Sequence, residues 1–164
     1  MVILPLPIAQ GAWGFGRYWP CAIGKGKITT NKKEGDGATP AGILRVTGCL
    51  YRADRITKPV PWARKIGPRD LWCDEPGHPS YNHLTQSPLA ASHERLRRAD
   101  PLYDLVLLTD WNWPNAIPGQ GSAIFIHRWR KPRHPTEGCI AFEPTNLRML
   151  SRLLKPGATI DVRK

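Results

Sequence analysis

Apolar positions fall along this chain in short runs broken by glycine and proline, which predicts many brief strands and little helix. Ala123 to Ile126 reads as a buried strand, and Ile140 to Phe142 as another. Ile43 to Cys49 and Leu102 to Thr109 are two more, the latter interrupted only by Asp104, and the alternating Thr159 to Val162 closes the chain. Pro144 at a helix start, followed by Leu147, Leu150, Leu153 and Leu154, gives a one-faced amphipathic helix stopped by Lys155-Pro156-Gly157. A second helix is expected from Ser87 to Ala99 with Pro88 in its first turn, or a shorter one capped by Ser92 and ending near Arg98. The pattern predicts a mainly β domain with two or three short helices, built as a sandwich or barrel.

The connecting stretches are irregular. Up to Lys25 the chain reads as edge strand and turns, with Trp13, Phe15, Tyr18 and Trp19 among glycines and prolines. Ala22 to Gly26 contains a GxG that never completes a nucleotide fingerprint, so it reads as a hairpin turn. Gly35, Gly37, Pro40 and Gly42 keep Lys32 to Gly42 out of helix and make it a long ordered loop. Asp36 there invites a metal-loop reading, but the other oxygen ligands of an EF-hand are missing. Tyr51 to Pro79 is irregular and basic, and Trp111 to Gly121 is a turn region. No repeat or low-complexity linker divides the 164 residues, so the whole chain reads as one domain.

Composition narrows the choice only slightly. Apolar content of 41% excludes disorder, and a formal charge of +11 favours anionic partners, nucleic acid being the default. Trp62 and Trp72 among Lys58, Arg64, Lys65 and Arg69 suit single-stranded nucleic acid, but tryptophans on a compact β domain more often cover sheet edges, so no nucleic acid is expected. Cys21, Cys49, Cys73 and Cys139 are widely spaced with no CxxC, which argues against zinc ribbons and thioredoxin-like motifs. Cys73, His78 and His83 lack a fourth ligand, so no metal or cofactor is invoked. A Cys49–Cys73 disulfide is conceivable, but buried free thiols are favoured. The apolar runs are too short to span a membrane, and the start, broken by Pro5 and Pro7, is no ordinary signal peptide.

Candidate chemistry lies between Ser122 and Phe142. A strand delivers His127; a basic loop punctuated by Pro132 and Pro135 follows; then Thr136-Glu137-Gly138-Cys139 leads into the next strand. A histidine on a rigid strand end and a cysteine on a glycine turn are what a thiol nucleophile and its base require. The imidazole would take the thiol proton, and the resulting ion pair would raise the thiolate fraction at neutral pH. Gly138 allows close backbone approach, so amides around Cys139 could face an oxyanion. His134 is the rival base, but it sits in the loop between two prolines. The competing reading is an inert core cysteine.

The order His127, loop, Thr136-x-Gly138-Cys139 resembles the signature of the L,D-transpeptidase (YkuD-like) catalytic domain. Gly35, Thr39, Pro40 and Gly42 match its Gly-x-x-x-Thr-Pro-x-Gly segment, and the Trp72 to His83 stretch resembles the substrate-side loop of a compact proteobacterial subgroup. The resemblance implies a β-sandwich fold and ping-pong acyl transfer. Cys139 would attack an L-to-D bond of a peptidoglycan stem peptide, with His127 as base and oriented by a backbone carbonyl. Transfer of the thioester to a diaminopimelate amine would give 3-3 or 1-3 crosslinks; water would give hydrolysis. Thr136, Arg128, Arg133, His134, Tyr81 and Asn82 are the candidate substrate contacts. A periplasmic or cell-wall location, a monomer and acylation of Cys139 by carbapenems are further implications. Departures from the family pattern bear on substrate preference: Arg128 follows His127 in place of glycine, Glu137 replaces a His or Lys, Ala141 replaces an Arg or Asn, and only eleven residues separate His127 from Cys139.

Overall fold

A computed structural model describes Pro5–Leu6 and residues 11–164. Residues 1–4 and 7–10, part of the start read as no ordinary signal peptide, lie outside the described residues. In chain order the strands are β1 (Pro5–Leu6), β2 (Gly11–Gly14), β3 (Arg17–Ala22), β4 (Ile28–Thr29), β5 (Thr39–Pro40), β6 (Gly42–Tyr51) and β7 (Arg64–Lys65). There follow β8 (Asp70–Cys73), β9 (Leu84–Gln86), β10 (His93–Arg95), β11 (Leu105–Thr109), β12 (Phe125–Arg128), β13 (Ile140–Phe142), the helix α1 (Pro144–Leu153) and β14 (Thr159–Val162).

The mainly β expectation holds, with a single helix among the described residues in place of two or three. A nine-stranded mixed sheet runs β1-β14-β6-β11-β12-β13-β3-β2, with β7 beside β6; a three-stranded sheet runs β10-β8-β9, and β4 pairs β5. β12 and β13 are parallel neighbours near the middle of the large sheet. Both are buried on their two faces, which explains their nearly unbroken apolar sequences.

The large sheet has two covered faces. On one, Leu107, Ile126, Ile140 and Phe142 pack with Leu147, Leu150 and Leu154 from the helical segment. On the other, Leu50, Val106, Phe125 and Cys139 pack with Trp72 and Leu96 from the three-stranded side. The Trp72 and Phe125 rings meet edge to face at 4.9 Å between centroids. The helix starts where Glu143 accepts a bond from the Asn146 amide at 2.9 Å, with Pro144 in the first turn. Leu153 is 41% exposed, because it falls off the helical stripe made by Leu147, Leu150 and Leu154.

The helix expected over Ser87 to Ala99 does not form. Its middle is β10, paired antiparallel to β8 with His93 opposite Cys73 and Arg95 opposite Leu71. The stretch has helix-forming residues but no apolar stripe at helical spacing: Leu96 alone is fully buried there, and strand pairing is what buries it. All four cysteines are free and buried.

Since the α1 face is sealed by three leucines, Leu150→Ala should cost about 2–5 kcal/mol through the cavity it leaves. A lowered urea midpoint with an unchanged slope is the expected measurement.

Candidate active site

The loop between β12 and β13 is fastened to the rest of the domain before it reaches the cysteine. The Thr136 amide donates to the Ile23 carbonyl at 3.0 Å, and the Thr136 carbonyl accepts from the Lys25 amide at 2.8 Å. The Thr136 hydroxyl donates to the Cys139 carbonyl at 2.6 Å and accepts from the Gly138 amide at 3.2 Å, closing a compact turn. Gly138 has φ +138°, and a Cβ there would stand 3.0 Å from the Ala38 carbonyl oxygen. Thr39, fully buried, donates its hydroxyl to the Gly138 carbonyl and accepts from the Gly24 amide, both at 2.8 Å. The Gly35-to-Gly42 motif therefore holds the cysteine turn from behind.

Register decides which side chains meet. Ile126 pairs with Ile140 in parallel, which sets Cys139 level with Phe125 and points Phe125, His127 and Cys139 to one face. His127 and Cys139 open on the same cleft of about 660 Å³, within the range of ligand sites. The His127 Nδ1 lies 2.7 Å from the Arg128 carbonyl; as a donor to that oxygen it leaves Nε2 as the basic nitrogen. The Cys139 thiol donates to the Ala123 carbonyl at 3.1 Å and accepts from the Phe125 amide at 3.4 Å.

The family model of the L,D-transpeptidase catalytic domain (YkuD) matches residues 14–162, which include every one of these groups. The chain belongs to this family. A solved L,D-transpeptidase from Mycobacterium smegmatis is similar at 12% identity and a TM-score of 0.44, over 99% of this chain and 58% of that one. The chain thus spans little more than half of that protein. Among curated proteins none matches the sequence.

In this L,D-transpeptidase-family chain the remaining candidates scatter. His134 and Thr136 line the cleft with Cys139. Arg128 does not: strand alternation turns it away from His127, and it lines a separate pocket with Pro144, Thr145 and Leu147 of the helical side. Arg133 faces a neighbouring groove beside Lys25, Lys27 and Lys164. Tyr81 and Asn82 are buried outside the cleft. Tyr81 donates to Glu34. Asn82, at φ +56°, accepts from the Ala123 amide at 2.9 Å and so supports the carbonyl that holds the thiol. Of the expected substrate contacts, Arg128, Arg133, Tyr81 and Asn82 do not line this cleft.

Three cleft residues, Tyr103, Arg98 and Glu94, escaped the sequence reading. Tyr103 sets its ring edge-on to His127 at 5.3 Å and donates its hydroxyl to Glu94 on β10. Arg98 lies over the Tyr103 ring at 5.1 Å while gripping Asp100 through two bonds of 2.6 and 2.8 Å. Tyr103 reads as one more apolar position of the Leu102 to Thr109 run, and neither Arg98 nor Glu94 carries a motif.

Electrostatics correct the expected ion pair. Burial, with Glu94 nearby as the second cause, pushes the Cys139 thiol up to about 12. Burial likewise brings His127 down to about 4, against the opposing bond to the Arg128 carbonyl. Around neutral pH both side chains are therefore uncharged in the resting site.

Two outcomes follow. Gly138→Ala should cost about 1–3 kcal/mol, because alanine is strained at that φ and crowds Ala38; the urea midpoint and the rate of Cys139 alkylation read it. The unfolded chain takes up a proton at His127 below about 6.5, whereas the folded chain resists until about 4. Stability should fall as pH drops through that window, and His127→Gln should lack that share of the slope in denaturant titrations.

Proposed function

We propose that this chain is a cysteine-dependent L,D-transpeptidase that acylates itself with a peptidoglycan stem peptide and passes the acyl group to an amine. One observation carries the reading: a fixed imidazole and a thiol open on one cleft from adjacent parallel strands. In the first half-reaction the thiol turns from the Ala123 carbonyl towards His127 Nε2, which takes its proton as sulfur attacks the carbonyl of an L-to-D bond. General-base transfer during attack suits a pair that rests neutral. The Gly138 amide is already given to Thr136, so the oxyanion falls to the Cys139 amide. His127 then protonates the leaving amine, and a thioester remains on Cys139.

In the second half-reaction a diaminopimelate amine forms a 3-3 or 1-3 crosslink, while water gives L,D-peptidase activity. His134 and Thr136 meet the bound stem along the loop side of the cleft. Carbapenems would acylate the same sulfur, and the substrate implies work in the periplasm or cell wall.

Incubation with defined muropeptides, with products and intact protein read by mass, tests the reading. The expected result is a covalent adduct on Cys139, absent from Cys139→Ala and reduced about a hundredfold or more in rate in His127→Ala. His134→Ala should keep it. Loss in His134→Ala with retention in His127→Ala would reverse the assignment of the base, and product masses separate crosslink from hydrolysis.

A further inference from the structure

The cleft holds one acidic group with an unusual setting. Glu94 projects from β10 into the same space as Cys139 and His127. Around it the lining is cationic or neutral: Arg95, Arg98, Arg130, His93 and His134. The other carboxylate on the lining, Glu137, is exposed on the loop and pairs with Lys25 at 2.7 Å. Glu94 forms no ion pair among the described residues; Arg98 attracts it only through charge, while its guanidinium bonds Asp100. Its polar contact is the Tyr103 hydroxyl, a neutral donor, whose ring packs against His127.

Carboxyl groups crowded by protein are ordinarily matched by a cation, since an unmatched one is costly. In a chain of net charge +11, a cleft carboxyl beside Cys139 with no direct ion pair marks where a positive charge arrives with the ligand. From this juxtaposition we propose that Glu94 receives the ammonium group of the acceptor and takes its proton, making the amine nucleophilic beside the Cys139 thioester. This deepens the transpeptidase reading and rests on it. Burial raises the carboxyl of Glu94 above its ordinary value, and the Tyr103 hydroxyl and Arg98 act against the rise in favour of its ionised form. Arg95 and Arg130, exposed at the rim and without ion pairs among the described residues, suit a carboxylate flanking that amine.

The step balances as follows. One ammonium proton passes to the Glu94 carboxylate, and the neutral amine adds to the thioester carbonyl, forming the C–N bond. Collapse breaks the C–S bond and leaves its electron pair on Sγ; the second amine proton travels through His127 to sulfur, restoring the thiol. Glu94 returns its proton to solvent.

The test reads how the acyl-enzyme partitions. Protein acylated by a donor stem is offered either a diaminopimelate-bearing stem or hydroxylamine, which is uncharged at neutral pH, and products are weighed by mass. In Glu94→Gln the share of thioester resolved by the stem amine should fall about a hundredfold relative to water. Resolution by hydroxylamine should stay within a fewfold of wild type. Tyr103→Phe, which keeps the ring but frees the carboxyl, should show the same selectivity to a smaller degree and serves if Glu94→Gln fails to fold by circular dichroism. Equal loss with both nucleophiles, or unchanged transfer to the stem amine, would overturn the role of Glu94. Wild-type protein that never acylates at Cys139 would instead overturn the transpeptidase reading itself.

Discussion

Parallel pairing of β12 with β13 is the constraint on which this site depends. One register, Ile126 opposite Ile140, sends two isoleucines towards α1 and leaves Phe125, His127 and Cys139 on the other side. A shift by one residue would reverse every side chain on one strand and separate the imidazole from the thiol. The register is over-determined from both faces. Leucines of α1 hold one, while the Trp72 and Phe125 rings hold the other. Behind the turn, the Thr39 hydroxyl joins Gly24 to Gly138 and ties three distant stretches of chain at one atom.

Solvent exclusion sets the electrostatic character of the cleft. Cys139 and His127 are driven neutral from opposite directions, so the resting site stores no thiolate. Tyr103 links this pair to Glu94, joining an aromatic wall, an imidazole and a carboxyl in one continuous surface. Elsewhere Arg55 with Asp104 and Arg97 with Asp54 bind distant loops to one another.

How much of this could be read from the sequence follows from where each determinant lies. Ile140 to Phe142, Thr159 to Val162 and the Leu147-Leu150-Leu154 stripe carry their own apolar pattern, and they form as expected. β8 to β10 do not: Asp70–Cys73 and His93–Arg95 are strands because they pair with each other, and local composition is overridden. His127 and Cys139 were legible because a short segment holds both. Glu94 and Tyr103 join them only through packing of one sheet on another, which no local motif encodes. Arg128 shows that a period of two was the missing argument, since a neighbour of an inward histidine must face outward.

The depth of the sulfur has a bearing beyond turnover. Peroxides and disulfides react with thiolate, and an uncharged thiol at 8% exposure, held by a main-chain oxygen, offers them little. Cys139 is thus shielded from oxidative damage by the same burial that keeps its thiol protonated.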